Sequence, residues 1–304
     1  MARILLTGKN GQVGFELQTA LAGVGEVVAF DHAELDLASP DAIRERVREV
    51  KPQIIVNAAA YTAVDRAESE PELAMKVNGI APGILAEEAK RLGSLIVHYS
   101  TDYVLDGTKG EPYTETDSPN PLSVYGRSKL AGDQAIQVSG VSYYIFRTSW
   151  VYAARGQNFL KTMLRLGAER DELRIVNDQI GAPTWARFIA DATARVLSES
   201  LRASDQARTK SGLYNVTASG MTSWYGFAEA IFAEAQKALG TRIPRLVPIP
   251  SSDYSAPARR PAYSRLDNFK LREAFDLEPP SWETMLRNCM RDIVTAMGNT
   301  QPKT

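Results

Sequence analysis

One cysteine and two histidines in 304 residues leave little material for disulfide or metal chemistry. Cys289 has no partner for an internal disulfide and cannot build a cysteine cluster around zinc, which fits a reducing compartment. His32 and His98 are the only imidazoles, and His98 lies inside the apolar run LIVHYS, where a hydrogen-bonded structural histidine is expected. An excess of either charge is also missing. Lys and Arg number 35 against 36 Asp and Glu, so there is no basic field to hold nucleic acid or an anionic membrane. No stretch approaches the roughly 18 consecutive apolar residues of a membrane span. The start, MARILLTGKNG, passes straight into a strand-like run without the long apolar region of a signal peptide. A cytoplasmic protein with neither nucleic acid nor membrane as partner is expected.

The chain does have enough apolar residues, 44% against 23% charged, to bury a sizeable core. Its first half alternates apolar runs (RILLTG, EVVAFD, QIIVNAA, SLIVHYS, YYIFRTSWVY) with helical patterns such as GFELQTALAG and SPDAIRERVREV. The second helix opens with Ser39 as N-cap and Pro40 at the first helical position. Continuous apolar strands alternating with helices predict an α/β fold, a doubly wound parallel sheet of Rossmann-like, NAD(P)-binding type. After about Tyr152 the pattern loosens, with helices expected over 158–170, 185–200 and 223–239. The segment RIPRLVPIPSSDYSAPARRPAYSR reads as irregular, anchored by Leu246, Val247, Ile249 and Tyr254. The expected division is a dinucleotide domain over 1–152 and a smaller, irregular C-terminal substrate lobe over 153–304, with segments of the latter returning to the first domain.

The loop GKNGQVG follows the first strand and sets Gly8, Gly11 and Gly14 three residues apart ahead of a helix. Such spacing is weak evidence by itself, since a tight turn also needs glycine. Its context is stronger: a glycine loop between an N-terminal strand and a helix lets a pyrophosphate rest on backbone N–H groups at the helix start. Asp31, ending the second strand, stands where an acid would bind the adenosine ribose. In LSVYGRSKLAGD, Tyr125 and Lys129 are four apart, on one face of a helix. A cation so close would favour phenolate and lower the tyrosine pKa, although an isolated pair at this spacing is common on surface helices.

Beyond these generic motifs, GKNGQVGFELQ, VNAAAYTAVDRAESEPELA, VHYSTDYVLDG, NPLSVYGRSKLAG, FRTSWVY, NFLKTML and NDQIGAPT resemble the extended short-chain dehydrogenase/reductase family. The resemblance spans nearly the whole chain and falls in the branch that reduces a dTDP-activated 4-keto-6-deoxyhexose. It implies that Tyr125 is the catalytic acid, Lys129 its partner and ribose ligand, and Thr101 the third, hydroxyl member. Gly11, Gln12 and Val13 would hold the pyrophosphate, Asp36 and Leu37 the adenine, and Ala59, Ala60 and Tyr61 would line the dinucleotide, NADPH or NADH. Asp102, Trp150, Asn158 and Arg259 resemble sugar-nucleotide contacts, with core packing the alternative for Trp150 and a solvated charge for Arg259. The implied reaction is reduction of the C4 ketone of dTDP-4-dehydro-β-L-rhamnose. Related chains of this fold act as epimerases or 4,6-dehydratases, and one serves as the regulatory partner of methionine adenosyltransferase. Similar dehydratases follow the threonine with Asp-Glu, whereas here Thr101 precedes Asp102 and Tyr103. Some members bridge two subunits through Mg2+ on acidic side chains; Glu16 matches one, but Arg187 stands where another carboxylate is expected. The metal, and with it a homodimer of that kind, is therefore in doubt.

Overall fold

The computed structural model describes residues 1–202 and 210–299. In chain order its elements begin with β1 (Ala2–Thr7), α1 (Gln12–Leu21), β2 (Gly25–Phe30), α2 (Pro40–Val50), β3 (Ile54–Asn57), α3 (Val64–Ala67) and α4 (Pro71–Met75). A π-helical turn, Lys76–Ile80, joins α4 to α5 (Ala81–Leu92), and β4 (Leu95–Thr101) runs into a 3-10 turn, Asp102–Val104. Then come α6 (Val124–Ser139), β5 (Ser142–Thr148), β6 (Val151–Tyr152), α7 (Phe159–Glu169), β7 (Glu172–Val176), β8 (Ile180–Gly181), β9 (Thr184–Trp185) and α8 (Ala186–Arg202). The chain closes with β10 (Gly212–Asn215), β11 (Thr222–Ser223), α9 (Trp224–Leu239), β12 (Arg245–Ile249), α10 (Phe269–Phe275) and α11 (Trp282–Asn299).

Six parallel strands form the main sheet in the order β10-β5-β4-β3-β1-β2. Alternate residues of each strand point to opposite faces, and both faces are apolar, which is why the strands read as unbroken hydrophobic runs. Ile4, Leu6, Ile54, Val56 and Val97 pack with α1 and α8, while Leu5, Ile55, Ile96 and Ile145 pack with α2, α5 and Ile136 of α6. The strand order reverses between β1 and β3, and ligands of open α/β sheets gather beyond the carboxyl ends at such a point.

Two features differ from the sequence expectation. The run YYIFRTSWVY is broken, because Trp150 has φ 47 and its left-handed backbone ends β5 before β6 begins. Residues beyond 152 return to the first domain, the return allowed for above: β10 pairs with β5, and Leu271 and Phe275 of α10 join the sheet core. Within the segment expected to be irregular, β12 pairs in parallel with β7, and α7, α9 and α11 close a separate core around Phe227, Phe232, Trp282 and the buried Cys289. The expected helices do form, with Asn158 and Ser223 serving as N-caps of α7 and α9. Among the described residues no helix is long and apolar enough to cross a membrane.

Candidate active site

The glycine loop begins where β1 ends. Gly8 has φ 74, and a Cβ there would lie 2.8 Å from the Ala59 nitrogen, so the loop passes the end of β3 only without a side chain. Gly14 lies so close to the loop that a Cβ would meet the Gly8 carbonyl oxygen at 2.0 Å. Gly11 is the N-cap of α1, makes no side-chain cap, and no acid occupies the first turn, leaving N–H groups free for an anion. This start of α1 opens into a cavity of about 860 Å3. Gly8, Gly11, Gln12, Val13, Asp31, Asp36, Leu37, Ala59, Ala60 and Tyr61 line it, and Tyr125 and Lys129 line it further along. Of the cofactor candidates named from sequence, only Gly14 does not reach the cavity; its work is packing. At the nucleoside end, Lys9 lies 3.8 Å from Asp31 but 2.5 Å from Glu34, a residue the sequence reading passed over.

The chemical groups meet at the carboxyl end of β4. Ser123 caps α6 by accepting the Gly126 N–H at 3.1 Å. A Cβ on Gly126 would sit 2.2 Å from the Tyr103 carbonyl oxygen, so this glycine lets the helix start against the 3-10 turn. Tyr125 and Thr101 are hydrogen-bonded through their side chains. Thr101 also donates to Asp102 Oδ1 at 3.1 Å and accepts the Tyr103 N–H at 3.2 Å. The Tyr103 ring stands edge-on to Tyr125, 5.5 Å between centroids.

Electrostatics here correct the sequence reading. Burial pushes the Tyr125 phenol above its ordinary pKa; Thr101 opposes this, and the nearby Asp102 and Asp133 carboxylates add to it. Lys129 is not among the groups that shift it, so the expected phenolate does not arise; burial keeps the phenol protonated. Nor is Lys129 fixed as a cation: burial brings its pKa down to about 8, with Asp133 resisting. Asp102, 1% exposed, is raised to about 6 by burial, and its Oδ2 has no hydrogen-bond partner.

Sequence reasoning missed several polar residues around this centre. Asn78, in the π-helical turn, accepts the Tyr61 N–H at 2.8 Å and donates to the Tyr61 carbonyl at 3.0 Å and to Ser128 Oγ at 3.1 Å. It thereby ties the dinucleotide-lining loop to the helix carrying Tyr125 and Lys129, as π-turns at functional sites do. Ser100 of β4 and Thr148 of β5 also line the cavity. Asp133 continues the Tyr125, Lys129 face of α6 and is 1% exposed. A helix-face search extended one more turn would have found it.

The substrate candidates are less gathered. Asp102 is adjacent to Thr101, but Trp150, Asn158 and Arg259 do not line the cavity. Trp150 stacks on Trp224, with centroids 3.6 Å apart and planes within 4°. Asn158 accepts the Lys161 N–H at 3.0 Å while its amide nitrogen reaches Gln12 at 2.8 Å and Ala153 O at 2.9 Å. Arg259 is exposed, whereas its neighbour Arg260 pairs with Asp65 at 2.8 Å and lies near Tyr103. The donor set for Mg2+ does not fit. Glu16 accepts from Arg187 Nε at 2.8 Å, and Arg187 also reaches Asp292 at 3.1 Å, so a fixed guanidinium holds the position a divalent cation would need.

A doubly wound sheet, a glycine-loop cavity at its switch point, Tyr125 and Lys129 on the wall of that cavity and Thr101 bonded to Tyr125 are the features of a short-chain dehydrogenase/reductase. The family model described as RmlD substrate binding domain matches residues 2–295. The chain is 51% identical to the dTDP-4-dehydrorhamnose reductase of Burkholderia thailandensis over 296 residues, 96% of this chain and 99% of that one. It is 47% identical to that of Escherichia coli K12, covering 96% and 98%. Among solved structures, dTDP-4-dehydrorhamnose reductase from Bacillus anthracis in complex with NADP superposes with a TM-score of 0.88 at 37% identity, over 96% and 99% of the two chains. The chain belongs to the dTDP-4-dehydrorhamnose reductase family.

Proposed function

We propose that this chain is an NAD(P)H-dependent oxidoreductase that reduces the C4 ketone of dTDP-4-dehydro-β-L-rhamnose to dTDP-β-L-rhamnose, with Tyr125 as the proton donor. The observation that carries the assignment of roles is the position of Tyr125 and Lys129 on a cavity that starts at the glycine loop, with Thr101 bonded to Tyr125. Gly11, Gln12 and Val13 would hold the dinucleotide phosphates at the start of α1, and Ala59, Ala60 and Tyr61 its flank. The bound nicotinamide supplies the hydride. Tyr125 gives its phenolic proton to the carbonyl oxygen as negative charge develops there, and Thr101 donates a hydrogen bond to the same oxygen. For that, Thr101 turns its hydroxyl hydrogen away from Asp102 Oδ1. The raised pKa of Tyr125 keeps the proton available for donation. Charged Lys129 then balances the phenolate left behind, until solvent reprotonates it.

The direct test is to incubate the purified protein with dTDP-4-dehydrorhamnose and NADPH or NADH and follow the nicotinamide absorbance. Loss of absorbance that needs the ketose is expected. No oxidation with either cofactor would overturn the reading and favour a binding or epimerising role.

A further inference from the structure

The second histidine of the chain lies directly behind the catalytic lysine. His98 Nε2 is 3.0 Å from Lys129 Nζ, and His98 Nδ1 is 3.1 Å from the Asn57 side-chain amide nitrogen. The other end of that amide is 2.7 Å from Thr7 Oγ1, which in turn accepts the Ala59 N–H at 3.1 Å. The row follows from sheet register, since Thr7 is paired with Asn57 and Asn57 with His98 on three adjacent strands. Asn57, His98 and Lys129 are all within 2% of full burial, so no water competes for these bonds. The row starts beside Gly8 of the dinucleotide loop and ends at the lysine that faces the reacting centre.

Counting hydrogens from Lys129 to Asn57 leads to two arrangements. An ammonium has only donors, so a charged Lys129 requires His98 to accept at Nε2 and carry its hydrogen on Nδ1. Asn57 must then offer its oxygen to His98 and its nitrogen to Thr7. A neutral Lys129 accepts instead: His98 carries its hydrogen on Nε2, Asn57 donates to Nδ1, and Thr7 donates to Asn57 Oδ1. The second arrangement is the one drawn by the Asn57 contacts above. The two ends of an amide have nearly the same size, so a half-turn of Asn57 converts one arrangement into the other without moving a ring.

Resting on the functional reading above, we infer that His98 is a positioning residue that holds Lys129 in both of its protonation states. Its tautomer follows the charge of the lysine, and Asn57 turns to link the pair to the glycine loop. His98 itself stays neutral. Burial and the neighbouring Lys129 charge both disfavour the imidazolium. The other charged groups nearby are Asp133 of α6 and Arg147 of β5. Asp133 Oδ1 is 3.8 Å from His98 Nε2 and has no hydrogen-bond partner, its Oδ2 accepts from Ser100, and its charge is felt by buried Arg147. Tyr125 shares the helix face with Lys129 and Asp133. None of these can replace His98 as an acceptor without moving, because Asp133 is tethered by Ser100 and Arg147 is a donor only.

The test combines His98→Leu with His98→Gln in the full chain. A glutamine amide can accept or donate toward Lys129, whereas leucine can do neither. A hydrogen bond to the charged form favours that form, so His98→Leu is expected to lower the Lys129 titration midpoint, read by NMR on its side chain, by about one unit, and His98→Gln by much less. In turnover, His98→Leu should lose about fivefold in kcat near pH 8, with the KM for the sugar nucleotide changed by less than about twofold, and His98→Gln should restore most of the loss. In the wild type, the ring nitrogen shifts of His98 should pass from the Nδ1–H to the Nε2–H tautomer as Lys129 loses its proton, with no imidazolium between about pH 6 and pH 9. A tautomer that never changes, or a histidine that protonates in that range, overturns the inference. So does equal behaviour of the leucine and glutamine variants. The NMR readouts need no substrate, so a protein that fails to reduce the ketose refutes the functional reading while His98 is still decided.

Discussion

Tyr125 carries the proton in this account, and its removal has a specific signature. Tyr125→Phe keeps the ring against Tyr103, so kcat should fall by about 10² to 10⁴ while cofactor affinity, measured by titrating NADPH fluorescence, changes little. Near-normal turnover would remove Tyr125 from the role. The alkaline limb of the pH profile is expected to follow Lys129. The tyrosine is raised by burial and remains protonated, whereas the lysine is lowered to about 8. The lysine thus loses its charge first, and kcat/KM should fall as pH rises through that value. A profile flat to about pH 10 would show that a charged lysine is not required. Residue by residue, the shared position of Tyr125 and Lys129 on the cavity wall was legible because helix periodicity relates them within one element. His98 was not: its partners Asn57 and Lys129 come from another strand and from a helix, and only the sheet register brings them together.

At the scale of elements, the start of α6 places Tyr125 beside Thr101. Gly126→Ala would place a methyl against the Tyr103 carbonyl, forcing the helix off the 3-10 turn. Overpacking of this kind typically costs about 1–3 kcal/mol, so denaturant unfolding should register the loss together with a drop in kcat. Full activity in the variant would mean the helix can start elsewhere. The strand and helix pattern of the first half was readable because both sheet faces are covered, but two boundaries were hidden. The break at Trp150 is a single left-handed residue inside an apolar run, and β12 is a short strand in a proline-rich segment whose partner β7 lies far back in the sequence. Neither leaves a periodic trace. Trp150 also gains its stacking partner, Trp224, from α9. If the pair borders the sugar site, Trp150→Ala should raise KM for the sugar nucleotide far more than KM for NADPH. A variant altered only in thermal stability would make the ring a packing residue.

For the molecule as a whole, one cavity runs from the glycine loop to Tyr125 and Lys129, and the proposed reaction needs a dinucleotide at the first and proton transfer at the second. Lys9 meets both Asp31 and Glu34 beside this cavity, and if the adenosine ribose binds there, these three charges should govern cofactor choice. Glu34 engages the lysine that would otherwise meet a 2′-phosphate, while Asp31 suits a free 2′-hydroxyl. Because exposed charges are screened, the kcat/KM values for NADH and NADPH should lie within roughly 30-fold of each other, and Glu34→Gln should move the ratio toward NADPH. A wild-type preference above about 1,000-fold would assign the choice to other groups. The central claim is that hydride and proton are delivered to one carbonyl carbon and its oxygen in a net reduction. The measurement closest to it uses NADPH deuterated at the transferable position of the nicotinamide, with the sugar product analysed by NMR. Deuterium at C4 of dTDP-rhamnose, one per NADPH oxidised, is the predicted result; unlabelled product, or label at another carbon, would contradict it.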